Sequence, residues 1–128
     1  MLKDRNSSAV VAVKDIARAG AFYGDILGLE PLNEEPGQAN VLAFKTGATR
    51  LVVYESEFAG TNQANAVVWG MDGDLVETVK TLKARGVVFE HYDMAGVTLN
   101  GDIHEAGSAK MVWFKDPDGN ILHINEGM

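Results

Sequence analysis

The chain carries three histidines, His91, His104 and His123, and no cysteine, so imidazole is the group able to move protons near neutrality, and thiolate chemistry and disulfides are excluded. His123 has the clearest setting. It ends the stretch W-F-K-D-P-D-G-N-I-L-H from Trp113, in which Asp116-Pro117-Asp118-Gly119 is a turn: Pro117 fixes φ, Gly119 permits positive φ, and the aspartates accept from nearby backbone N–H groups. The flanking runs Lys110–Phe114 and Ile121–Asn125 are rich in branched and aromatic residues and read as strands. With a period of two, His123 shares a face with Ile121 and Asn125, and with Trp113 across the turn, while Leu122 and Ile124 point the other way. An imidazole so placed is a general base or hydrogen-bonding group of a pocket, or a neutral replacement for a lost ligand. His91 and His104 read as surface residues, His104 with Glu105 in a glycine-flanked loop. Tyr92-Asp93 follow a strand and either rim a pocket or end that strand in solvent.

The elements that must position these residues come in a repeated order. Ala9–Val13 is a strand; Asp15 caps a helix from Ile16 through Leu27, stopped by Gly28; Leu29–Leu32, Asn40–Phe44 and Arg50–Glu55 are strands, with a polar loop at Asn33–Gln38. Ser56–Asn65 is a connector. Then Ala66–Met71 is a strand, Asp74 precedes a helix ending at Gly86, and Val87–Glu90 is a strand. An insertion from Met94 to Ala109 leads to the last two strands. This is one domain, 1–128, of two βαβββ units, about 7–56 and about 65–127. Matching Phe44-Lys45 with Phe114-Lys115 sets Val53 in the place of His123, and sends Phe44, Phe114 and Trp69 beneath the helices.

A chain of 128 residues, 46% hydrophobic, is long enough for a sizeable core. Its net charge of -7 and pI of about 4.8 leave no basic stripe for phosphates, so neither nucleic acid nor an anionic membrane is an expected partner. No run is long enough to span a bilayer, and no apolar h-region follows the first charges; the expected compartment is the cytoplasm.

The duplicated βαβββ order, the F-Y-x-x-x-L-G-L ending of the first helix (Phe22 to Leu29) and F-K-D-P-D-G-N before the last strand resemble the vicinal oxygen chelate superfamily of glyoxalases, extradiol dioxygenases, and fosfomycin- and bleomycin-resistance proteins. The resemblance implies an α+β fold in which each unit curls into a half-barrel, with a concave ligand-binding face and helices outside. It also implies divalent-metal ligands on the first and last strands of each unit. Those positions fall here on Ser8, Val53, Ala66 and His123, of which only His123 is a good donor, so the inherited metal site reads as erased and no cofactor is expected.

The same reading gives the concave face a small and aliphatic floor of Ser8, Val10, Ala12, Leu51, Val53, Ala66, Val68, Gly70 and Ile121, with Met111, Trp113, His123, Glu55 and Asn125 as its features. This suits a small-molecule cleft, a filled core or a subunit seam, and the cleft is formed within one chain or between two. The expected ligand-binding set is His123, Trp113, Met111, Val53, Ser8, Ala66, Glu55 and Asn125, with no catalytic residue assigned. Two functions follow: a metal-free binding protein for a hydrophobic or aromatic molecule, similar to bleomycin-resistance proteins, or a glyoxalase-like lyase or dioxygenase-like enzyme using a relocated metal or His123 as base. A homodimer is expected, because the edges beside each first strand invite pairing with another copy.

Overall fold

The structure, a computed structural model, describes residues 1–32 and 40–128. The polar loop read at Asn33–Gln38 lies outside the described residues. The chain divides into two compact units, Met1–Asn62 and Gln63–Met128.

In the first unit, strand β1 (Ala9–Val13) leads to helix α1 (Ile16–Gly20), whose start is fixed by the Asp15 carboxylate accepting from Arg18 N at 3.0 Å. The helix does not stay α-helical. Ala21–Ile26 widens into a π-helical turn closed by Leu27 N–H to Phe22 O at 2.9 Å, and Gly28 at φ 75° ends it. Both Phe22 and Tyr23 are buried, edge to face at 5.1 Å, where the sequence reading required only one of them. Strands β2 (Glu30–Pro31), β3 (Val41–Thr46) and β4 (Thr49–Glu55) complete an open sheet of order β1-β4-β3-β2, with β1 parallel to β4.

One face of this sheet packs under the helix. Gly20 faces Leu42 and Gly24 faces Phe44, where an added Cβ would sit at ordinary contact distances of 3.4 and 3.6 Å. Leu42 is paired with Val53, Phe44 with Leu51 and Val11 with Val53, which puts all five on the helix side. Val53 is 0% exposed there.

This corrects the expected floor. Val53 and Leu51 are core beneath α1, and the face away from the helix carries Val10, Ala12, Val41, Ala43, Val52 and Tyr54 instead. The reason is turn length. Phe44 pairs with Leu51, seven positions on, across a connection of Gly47 and Ala48; Phe114 pairs with Leu122, eight positions on, across 116–120. Equal spacing misassigns the match by one residue, and one residue exchanges the faces of a strand. The counterpart of His123 is therefore Val52.

The second unit repeats the frame: strand β3's equivalent is reached through β5 (Asn65–Met71), helix α2 (Leu75–Ala84) and β6 (Phe89–Glu90), and the sheet closes its order with β9 (Ala109–Lys115) and β10 (Ile121–Glu126). Leu75, Val79 and Leu82 are the buried residues of α2, and Glu126 at the end of β10 accepts from Leu75 N at 3.0 Å, supplying the cap that the Asp74 side chain does not. The helix-side face is Val67, Phe89, Val112, Phe114, Leu122 and Ile124, all buried, with half-buried Trp69 opposite Ile124.

The D-P-D-G-N turn forms as its chemistry dictates. Asp116 Oδ1 accepts from the backbone N–H groups of Asp118 and Asn120, both at 2.9 Å, its Oδ2 accepts from Asn120 Nδ2 at 2.8 Å, and Gly119 takes φ 88°.

The insertion is itself ordered as strands β7 (Thr98–Asn100) and β8 (Ile103–Ala106). β8 joins β9 through Gly107-Ser108, so that His104 lies opposite Met111. β6 pairs with the other end of the same edge of β9, through Phe89–Phe114 and Glu90–Trp113. The insertion is thus a hairpin thrown out of one interrupted edge strand. The sheet has the order β5-β10-β9-β8-β7, leaving β5, like β1 in the first unit, at the end.

Candidate functional site

The chemistry-bearing side chains of the second unit gather on the sheet face away from α2. Cross-strand pairing sets His123 beside Trp113, Asn125 beside Met111, and His104 beside Met111, with Val68 next to His123 and Gly70 next to Asn125 on β5. Val68 is 57% exposed, so this face reaches solvent along β5.

His123 is buried and its ring stacks on the Trp113 indole, centroids 4.4 Å apart and planes 17° apart. Its Nδ1 lies 3.0 Å from Val112 O, and since a carbonyl only accepts, Nδ1 carries the proton. Its Nε2 then accepts from Asn125 Nδ2 at 3.2 Å. Burial pushes the His123 pKa below its ordinary value, against the Val112 hydrogen bond, and the nearby His104 imidazole acts in the same direction as burial. This is a neutral histidine with both nitrogens engaged.

His104 overturns its reading as a surface residue. It is 0% exposed, its Nε2 accepts from Tyr92 N at 2.9 Å, and its ring stands edge to face with Trp113 at 4.9 Å. Tyr92 closes the group, edge to face with Trp113 at 5.4 Å and tilted against His104 at 6.2 Å. His91 is exposed as expected, but not idle. Its Nε2 lies 2.8 Å from Asp102 Oδ1, and Lys83 of α2 holds Asp102 Oδ2 at 2.7 Å. The hydrogen bonds from Lys83 and His91 hold the Asp102 carboxyl below the usual range, against the opposing effect of burial.

Tyr92, read as either rimming a pocket or ending its strand in solvent, lies within this group; His104 was missed, yet a signal existed. Gly107-Ser108 between Ala106 and Ala109 is a two-residue hairpin loop, and reading it as one sets His104 opposite Met111, on the face of Trp113.

Of the eight residues expected to bind ligand, the structure gathers four on this one face: His123, Trp113, Met111 and Asn125. Ala66, half-buried, occupies a bulge where Ile121 pairs with Asn65 and Leu122 with Val67. In the first unit Val53 is core, Glu55 is exposed at the end of β4 on the helix side of the alternation, and Ser8 is exposed, 3.5 Å from the Thr49 hydroxyl. The donor set does not fit the metal that the sequence resemblance implied. Val53, its register-corrected counterpart Val52 and Ala66 offer no side-chain donor, and His123 has both nitrogens engaged. Among the described residues no three His, Cys, Asp or Glu side chains converge on one point.

Residues 7–124 match the family model described as the Glyoxalase/Bleomycin resistance protein/Dioxygenase superfamily. Among solved structures, the fosfomycin resistance protein FosX from Listeria monocytogenes is similar at a TM-score of 0.70 and 16% identity, covering 96% of this chain and 93% of that one. TnmS3, an antibiotic binding protein from a Streptomyces species, is similar at 0.67 and 23% identity, covering 98% of both chains. A lactoylglutathione lyase from Agrobacterium tumefaciens is similar at 0.66 and 22% identity, covering 97% and 94%. At these identities the likeness is one of fold. No helix among the described residues is long and apolar enough to cross a membrane.

Proposed function

Given that the chain belongs to the glyoxalase/bleomycin resistance protein/dioxygenase superfamily, we propose that it is a metal-free binding protein for a hydrophobic or aromatic small molecule, working as a cytoplasmic homodimer. The observation that carries the reading is the face beside β10. Apolar surface reaches solvent at Val68, an indole and the His123 imidazole lie next to it, and two of the four positions that would hold metal, Val53 and Ala66, have apolar side chains. The likeness to TnmS3, an antibiotic binding protein, supports the same class of function. An enzyme using His123 as base is the runner-up, supported by its neutral state and by the likeness to a lactoylglutathione lyase. It requires His123 Nε2 to exchange its Asn125 donor for a substrate proton.

One face of Trp113 is already covered by His123, so a ligand approaches from the remaining side or displaces the imidazole. A fluorescence screen of drug-like and metabolite compounds against wild type, Trp113→Phe and Trp69→Phe tests the reading. Quenching should persist without Trp69 and vanish without Trp113. Ligands reported by Trp69 alone would move the site to the helix side, and stoichiometric metal lost to chelator together with an activity would favour the enzyme. Light scattering at micromolar concentration should return the dimer mass; a monomer mass would remove the homodimer from the proposal.

A further inference from the structure

His104 holds a hydrogen-bond donor that the fold leaves unused. Its Nε2 accepts from Tyr92 N at 2.9 Å, and a backbone N–H can only donate, so the proton of the neutral ring is on Nδ1. That Nδ1–H is sealed from solvent and has no partner among the described residues. A buried donor without an acceptor loses its hydration and gains nothing in return, which makes such groups rare unless something else fills them.

The surroundings limit what that is. The His104 ring centroid lies 4.9 Å from that of Trp113, 6.2 Å from Tyr92 and 6.4 Å from His91, so the side chains around it are flat and aromatic. His123 is neutral beyond Trp113, and the Lys83 ammonium that could attract an anion is already held by the Asp102 carboxylate at 2.7 Å, so a neutral ligand is favoured over an anion. A neutral planar molecule with one acceptor oxygen fits both limits. Of the rings around His104, Tyr92 is 37% exposed while His104 is fully buried. Because the bond to His104 is made by the Tyr92 backbone, the phenol ring can turn about its own side-chain torsions without disturbing the bond that fixes the tautomer.

We propose that His104 Nδ1–H binds the acceptor oxygen of a neutral aromatic carbonyl compound, admitted beside Trp113 when the Tyr92 ring swings aside. This rests on the small-molecule binding reading above and names the ligand class and the residue that recognises it.

Acetophenone and α-methylstyrene test it, since they differ by C=O against C=CH2 at nearly equal shape. Calorimetry on wild type should show acetophenone binding about ten-fold tighter, the preference of a site whose buried donor is left unpaired by the alkene. The preference should disappear in His104→Phe and remain in Tyr92→Ala. In parallel, the Nδ1–H resonance of 15N-labelled wild type should move downfield with acetophenone and stay put with α-methylstyrene, a readout that needs no folded His104 variant. Equal affinity for the two compounds would overturn the proposal while leaving small-molecule binding intact, and would mean that the donor is satisfied by the indole face or a trapped water. A carbonyl preference surviving in His104→Phe, or a bound acetophenone that leaves the Nδ1–H resonance unmoved, would also overturn it. Failure of both compounds to bind, with no ligand from the wider screen perturbing Trp113, would remove the binding-protein reading itself.

Discussion

The two units share a frame and differ in what they aim away from their helices. In the first, the face opposite α1 presents Val10, Ala12, Val41, Ala43, Val52 and Tyr54, aliphatic but for one tyrosine. In the second, the same positions of the hairpin hold Met111, Trp113, His123 and Asn125, and the inserted β7–β8 hairpin adds His104. The exposed first-strand valines still correspond, Val10 at 56% and Val68 at 57%. The difference teaches that the repeat conserves the buried side, where layers must interlock, and leaves the other side free to diverge. A hairpin inserted at one edge then brings polar side chains to the divergent face without altering the core.

The comparison is broken most severely at the shared core. Phe44 and Phe114 occupy corresponding buried positions, so replacing either by alanine should cost about 3–5 kcal/mol in denaturant unfolding; a loss confined to one variant would show that the two helix-side layers are not equivalent. The inserted histidine comes next. His104→Phe strips the Tyr92 N–H of its acceptor and should cost about 1–3 kcal/mol, offset in part by removing the unused Nδ1–H. A neutral result would mean that the hairpin is held by its ladder bonds alone.

The third test uses pH. Burial sets the folded pKa of His123 below its unfolded value, so as pH falls through the ordinary histidine range the unfolded chain takes up the proton first. Stability from this residue is therefore full above that range and lost as pH falls towards the folded pKa, with a slope of at most about 1.4 kcal/mol per pH unit. His123→Gln should flatten this part of the profile, whereas Val52→Thr at the matching position of the first unit should not. An unchanged profile in His123→Gln would assign the acid sensitivity elsewhere. The smallest effect is at the surface: Lys83→Ala removes one partner of a half-exposed ion pair to Asp102 and should cost about 0.2–1 kcal/mol, shrinking in high salt.

The sequence by itself determined the parts that rest on local chemistry. Asp15 capping, the D-P-D-G-N turn, the strand periods and the order of elements in each unit are decided by residues within a few positions of one another, and all are present. Tertiary structure decided the rest. The face taken by Val53 depends on how many residues the 47–48 and 116–120 connections absorb, which fixes the pairing of distant strands and cannot be read from matching motifs alone. The burial of His104 depends on β8 docking along β9. The proton positions on His104 and His123 depend on Tyr92 N and Val112 O, backbone groups made neighbours only by that docking. A side chain's periodicity is a property of its own strand, but which face is covered, and which nitrogen holds the proton, are properties of what packs against it.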